Sequence, residues 1–299
     1  MEIADAITGN VLSIKAVQLD TKCHACRGIF NPQRLSQVMQ MLPRLLALLL
    51  LFGSTVIADT PKPLRALLIA GGCCHDYENQ KRILTEGISA RVPIVWTVVH
   101  DVEMVDGKDT AAVRDHLSSV YAKENWAEGY DVVVHDECYG EMKDPAMLAR
   151  ITKPHSEGGV PAVFLHCSVH SYRKAADADA NLWRDLLGSK SMYHEAAAVL
   201  TVKPTVPQHP VMAGFPAEFV TPEKDELYII EKLWDTATVL ATSHSDKLNK
   251  ENPVVWVNEA GKVRSFSTSL GHSNPVVASS EYLELVSRGI LWVTGRLQK

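Results

Sequence analysis

The sequence predicts an α/β fold: a doubly wound, mainly parallel sheet with helices on both faces and an antiparallel hairpin near the C-terminus. Three observations carry that reading. From residue 64 onward strand-like and helix-like segments alternate, which implies βαβ units. The early strand-like runs are continuously apolar, as strands buried on both faces of a parallel sheet are. Late in the chain, two further runs flank Asn258-Glu259-Ala260-Gly261-Lys262, a turn signal with glycine in it.

The elements follow in order after the linker Thr60-Pro61-Lys62-Pro63. Residues 64–70 read as the first strand. Residues 78–90 have helical spacing at Ile83, Leu84 and Ile88, and 94–99 form the next apolar strand. Residues 110–121 read as a helix, with Val113, Leu117 and Val120 on one face. A strand is expected at 131–134. Asp144 is then placed to cap, and Pro145 to open, a short helix ending at Thr152. Gly158-Gly159 breaks the chain before the strand 161–165, and Gly188 closes a helix over 178–187. Strands are expected at 197–202, 238–241, 254–257 and 263–268. A final helix, 279–294, carries Tyr282, Leu285, Val286, Ile290 and Leu291.

The composition, 46% apolar and 22% charged, is that of a globular protein. A net charge of -5 and the lack of a basic patch argue against nucleic acid as a partner. Met41-Leu42-Pro43-Arg44, the apolar run 45–52 and Val56-Ile57-Ala58 read as a secretory signal peptide over 41–58, cleaved near Ala58. Export to a periplasm or the exterior is therefore expected. The apolar run is shorter than the roughly 20 residues of a membrane span, so no stable span is expected after cleavage; an uncleaved anchor is the other reading. Residues 1–40 would then lie upstream of a true start at Met39 or Met41, and 59–299 would be a single domain. Cys23 and Cys26 have C-x-x-C spacing but no second ligand pair and no βαβ context. Cys73, Cys74, Cys138 and Cys167 are too few for a disulfide scaffold, and mostly free, partly buried thiols are expected.

Polar clusters at the ends of apolar runs carry the functional signal, because ligands of open α/β sheets bind outside the carboxyl ends of the strands. The first run leads into Cys73-Cys74-His75-Asp76-Tyr77, another into His166-Cys167-Ser168, and the last into Gly271-His272-Ser273. A further run leads into His135-Asp136-Glu137-Cys138, where Asp136, Glu137 and Cys138 could form an acid/thiol site, although helix capping explains the carboxylates equally well. His75 beside Asp76 suits a metal ligand or an acid/base pair; a loop histidine bonded to backbone is the alternative. His166 sits where a strand-to-helix elbow would present a nucleophile, although G-x-S-x-G is absent. Cys167 with His166 or His170 could form a Cys/His pair, against the blander reading of a buried thiol. Asp225-Glu226-Leu227-Tyr228 joins two carboxylates and a phenol, as general base, metal ligand or solvated turn. There is no GxGxxG and no P-loop, so no nucleotide cofactor is expected.

The ordered set His75-Asp76-Tyr77, His166, His209-Pro210-Val211 with Gly214, Asp225-Glu226-Leu227-Tyr228, Pro253-Val254-Val255-Trp256, Gly261-Lys262-Val263-Arg264 and Leu270-Gly271-His272 resembles the ThuA-like (trehalose utilisation) family. That family lies in the class I glutamine amidotransferase-like superfamily, and the resemblance covers about residues 64–296. It implies a flavodoxin-like fold and a link to carbohydrate metabolism. It also implies no glutaminase activity, since His166 takes the elbow position that a cysteine would hold. His194 matches a further family histidine. Cys73-Cys74 departs from the histidine- or asparagine-rich turn that family members often carry there.

The expectation is thus an exported protein acting on a sugar or glycoside derivative, as a metal-dependent hydrolase or isomerase. A divalent metal such as zinc would be held by His75, His166 and His272. Asp225, Glu226 and His166 would do the chemistry, with His75, Asp76, Tyr77, Tyr228 and His194 around the substrate. The rivals are a non-catalytic carbohydrate-binding protein and a hydrolase using Cys167 or Cys138. The partner expected is a small-molecule carbohydrate, and self-association into a homo-oligomer is left open.

Overall fold

A computed structural model describes residues 62–101, 118–176 and 182–297. They belong to one compact unit, Pro61–Lys299. The expected signal peptide, the segment before it with Cys23 and Cys26, and residues 110–117 of the predicted helix lie outside the described residues. The rest of that predicted helix is a 3-10 turn, Ser119–Ala122.

The strands in chain order are β1 Leu64–Gly72, β2 Ile94–Asp101, β3 Val132–Cys138, β4 Ala162–Leu165, β5 Ser189–His194, β6 Thr201–Pro204, β7 Phe219–Val220, β8 Tyr228–Leu233, β9 Ala237–Ser245, β10 Lys250–Ala260 and β11 Val263–Thr268. The helices are α1 Tyr77–Ser89, α2 Pro145–Ser156, α3 Arg173–Ala176, α4 Leu182–Leu187, α5 Asn274–Val277 and α6 Ser280–Val293. Among the described residues, nine strands make one sheet in the order β2-β1-β3-β4-β11-β10-β9-β6-β7, and β5 pairs with β8 in a separate ribbon. The pairs from β2 to β11 are parallel, and those from β11 outward are antiparallel. The predicted hairpin joins β10 to β11 around Gly261, at φ +62°.

Both faces are covered at β1, β3 and β4, as a doubly wound fold requires, whereas β2, whose apolar run reads as a buried strand, is the sheet edge and leaves Val95 and Val98 exposed. Alternate side chains of β1 point to opposite faces. Leu64, Ala66 and Leu68 pack with Leu84 and Ile88 of α1 and with Leu285, Val286 and Ile290 of α6. Leu67 and Ile69 pack with Leu148 and Ile151 of α2 and with Trp183 and Leu186 of α4. β1 has β2 on one side and β3 on the other, so the chain changes direction across the sheet there. The carboxyl ends of β1, β3, β4 and β11 consequently share one edge.

Two expectations need correction. The strand expected at 131–134 runs on to Cys138, so His135, Asp136 and Glu137 are strand residues, all buried, and cap no helix. His135 and Glu137 are tolerated there because they bond one another and their neighbours. The His155 Nδ1 lies 2.7 Å from the Val160 carbonyl, which can only accept. The His155 Nε2 is therefore an acceptor, and His135 Nε2–H donates to it at 3.2 Å. The His135 Nδ1 then accepts from Glu137 Oε1 at 2.9 Å, and Tyr121 donates to that same oxygen at 2.6 Å. This chain needs a protonated Glu137 and two neutral histidines. Burial supplies both, pushing Glu137 up to about 8 and each histidine down to about 3.

The second correction concerns the cysteines. Cys73 bonds to Cys74, and Cys138 to Cys167. The register that pairs Gly72 with Cys138 lays Cys73 over the end of β3, and Cys74 adopts a φ of +87° where the chain reverses. Free thiols were expected because spacing alone does not reveal this register.

Candidate metal and ligand site

Three turns and one strand entry build the site. His75 follows β1, just ahead of α1. His166 follows β4, His272 follows β11, and Glu226 precedes β8. One ligand atom from each of these four residues lies within 4.8 Å of the others. The rings of His75 and His166 are 4.5 Å apart, and those of His75 and His272 are 5.1 Å apart.

His166 occupies the elbow, at φ +42°, a left-handed conformation rare outside glycine, and opens the 3-10 turn His166–His170. Its Nδ1 lies 2.6 Å from the Ser269 carbonyl, so Nδ1 carries the proton and Nε2 faces the cluster. Nε2 is 3.4 Å from Glu226 Oε2 and 3.4 Å from the Tyr228 hydroxyl. Burial works against a charge on His166, but the Glu226 contact and the Asp225 charge outweigh it and raise the imidazole above its ordinary value. Burial likewise opposes ionisation of Glu226, and the His166 contact outweighs it, holding the carboxylate low. His75 moves the other way: burial, then the neighbouring His166 and His272, lower it to about 2. It is neutral, as a metal ligand must be.

The other Glu226 oxygen, Oε1, lies 3.4 Å from His272 Nδ1 and 3.6 Å from His194 Nδ1. Glu226 thus bridges three histidines. The Nδ1 atoms of His75 and His272 are buried and make no hydrogen bond. Orphaned nitrogens beside a carboxylate are a donor set suited to zinc or a similar divalent ion.

The remaining expected residues take other positions. Asp225 is fully buried, and both its oxygens accept from backbone amides: Oδ2 from Gly271 at 2.9 Å, Oδ1 from His272 at 3.1 Å and from Glu226 at 2.8 Å. It holds the backbone of Glu226 and of the Gly271-His272 turn, and its Oδ1 lies 4.0 Å from His166 Nδ1. Gln80 grips the same turn from the other side, donating to the carbonyls of Gly271 and His272. Asp76 is the N-cap of α1, accepting from Asn79, and also accepts from Asn274 of α5 at 2.8 Å. Tyr77 is buried, and its hydroxyl donates to the Cys73 carbonyl. Tyr228 stacks on His170 at 3.9 Å, with His194, partly exposed, stacked on it at 5.4 Å.

Sequence reasoning did not assign Asp136 to the site. It lies beside Ala70 in the β1–β3 register, its Oδ2 has no partner, and burial raises it to about 7 while the His166 charge works to lower it. Its signal in the sequence was its place in a polar cluster, which helix capping explained as well. His135 and Glu137 of the same cluster lie in the buried network instead. Cys73, Cys74 and Cys138 also cluster, with sulfurs within 4.8 Å, but as disulfide members they offer no thiolate. The Cys-hydrolase reading lacks a nucleophile for the same reason: Cys138 and Cys167 are bonded to each other.

Among solved structures, a ThuA-like protein from Parabacteroides merdae superposes with a TM-score of 0.59 at 20% identity, covering 80% of this chain and 92% of that one. A ThuA-like protein from Bacteroides uniformis superposes with a TM-score of 0.57 at 15% identity, covering 78% and 92%. At these identities the likeness speaks for the fold. No curated protein sequence matches this chain. The model of the ThuA family, described as trehalose utilisation, matches residues 95–293, and on that match over most of its length the chain belongs to the ThuA family.

Proposed function

We propose that this protein acts on a sugar or glycoside derivative at the His75, His166, His272 and Glu226 cluster, with a divalent metal such as zinc held there. The observation that carries the reading is the convergence of four ligand-type atoms within 4.8 Å at the carboxyl edge of the sheet. Family membership supports the carbohydrate link. A bound metal would polarise a carbonyl or activate water. The chain's own residues would do the rest. Ser269 fixes the His166 ring, Asp225 and Gln80 fix the His272 turn, and the exposed His194 ring, backed by the buried Tyr228, offers a flat face for a sugar. Asp136, without a partner at Oδ2, is the carboxyl placed to exchange a proton near neutrality. Export also belongs to this proposal, and the two disulfides fit an oxidising compartment.

Metal analysis of the purified protein, prepared without chelators, tests the reading against His166→Ala. About one equivalent in the wild type, lost in a variant that keeps its circular dichroism and melting transition, supports it. No metal in the wild type after reconstitution refutes it. Asp225 accepts from three amides, an engagement that suits positioning the turn as well as chemistry. The positioning role favours, as a second reading, a carbohydrate-binding protein using the same pocket, which saturable sugar binding without turnover would establish.

A further inference from the structure

The four cysteines of the described residues form a line of sulfurs beside the site. Cys74 is bonded to Cys73, and Cys138 to Cys167, and the two disulfides meet where Cys73 Sγ lies 3.7 Å from Cys138 Sγ. Backbone holds that contact. The Cys73 amide donates to the Cys138 carbonyl at 3.3 Å, and a Cβ on Gly72 would fall 2.3 Å from the same oxygen, so only glycine lets β1 approach so closely. The line is graded in access: Cys73, Cys138 and Cys167 are 4%, 5% and 7% exposed, whereas Cys74 is exposed. It also ends beside the candidate site, because Cys74 precedes His75 and Cys167 follows His166.

We propose that these cysteines form a thiol–disulfide exchange relay, which accepts a dithiol reductant at Cys74 and delivers a free thiol at Cys167. One thiolate of the dithiol attacks Cys74 Sγ, forming a mixed disulfide and releasing Cys73 as a thiolate. Cys73 attacks Cys138 Sγ; the Cys73–Cys138 bond forms, the Cys138–Cys167 bond breaks, and Cys167 leaves as a thiolate and takes a proton. The second thiol of the reductant then displaces Cys74, which takes a proton, and the reductant departs as its disulfide. Two electrons and two protons pass from the dithiol to the protein, which goes from two disulfides to one disulfide and two thiols. The relay does not depend on metal or sugar binding.

Full-length protein equilibrated in graded ratios of reduced to oxidised dithiothreitol, acid-quenched, alkylated and mapped by peptide mass spectrometry tests this; Cys23 and Cys26 are read on their own peptides. The first reduced species should carry alkylated Cys74 and Cys167 in equal amount, with a Cys73–Cys138 disulfide. In Cys74→Ser, Cys167 should be alkylated without any reductant. Joint alkylation of Cys73 and Cys74 with Cys138–Cys167 intact, or of Cys138 and Cys167 with Cys73–Cys74 intact, overturns the relay. So does reduction of all four together without a Cys73–Cys138 species. The wild-type mapping decides the matter even where the variant does not fold.

Discussion

Replacing Asp225 by asparagine separates the positioning role of this carboxylate from a role in chemistry. Three amides point at it in a fully buried setting, two at Oδ1 and one at Oδ2. Asparagine keeps one acceptor oxygen, which can retain the Glu226 and His272 amides. It must then present its NH2 group to the Gly271 amide, donor against donor at the present 2.9 Å. The change removes one hydrogen bond to a charged group, about 1.5–3 kcal/mol, and leaves a buried donor unpaired, about 1–3 kcal/mol. A net loss of about 2.5–6 kcal/mol follows from these two terms, measured as unfolding free energy in urea at fixed pH. Because the Gly271-His272 turn moves, metal affinity should fall about 10- to 100-fold, the usual cost of losing a supporting interaction behind a ligand. Isothermal titration with zinc reads that loss. A variant as stable as the wild type with unchanged zinc affinity would refute the argument. Unchanged stability with lost activity would return Asp225 to the chemistry.

Other outcomes follow from the same geometry. His155 is neutral when folded, lowered to about 3 by burial, whereas in the unfolded chain it titrates near 6.5. The unfolded state therefore binds the extra proton as pH falls through that window, and the stability linked to a neutral His155 is complete above about 6.5 and shrinks below it. The stability advantage of the wild type over His155→Gln should drop by about 1.4 kcal/mol per pH unit between about pH 6 and 4, read from urea midpoints; a constant difference contradicts the buried network. Gly271 has φ +119°, and a Cβ there would lie 2.8 Å from the Tyr282 hydroxyl. Gly271→Ala should cost about 1–3 kcal/mol, with part recovered by adding Tyr282→Phe in a double-mutant cycle; full additivity denies the clash.

Much of the architecture is legible in the chain because its signals are local. Continuous apolar runs and Ser279 ahead of an apolar-striped helix specify β1, β4 and α6, and Ser279 does cap α6 by accepting from Tyr282. The glycine at 261 turns β10 into β11. The β5–β8 ribbon escaped notice because the buried positions of β5, Ser189 and Ser191, are polar, so no apolar alternation marks the strand. The histidines of the site were legible for a related reason: parallel strands put their carboxyl ends on one edge, so polar residues that end apolar runs converge.

What the sequence determined by itself is therefore the fold class, the family and the three histidines. Only the tertiary structure decided which of Asp225 and Glu226 faces them. Adjacent residues point to opposite sides of an extended chain, and the side is set by the Gly271-His272 amides 46 and 47 residues away. The pairing of the four cysteines has the same cause. It depends on the β1–β3 register and the elbow after β4, contacts between distant segments that no local pattern encodes.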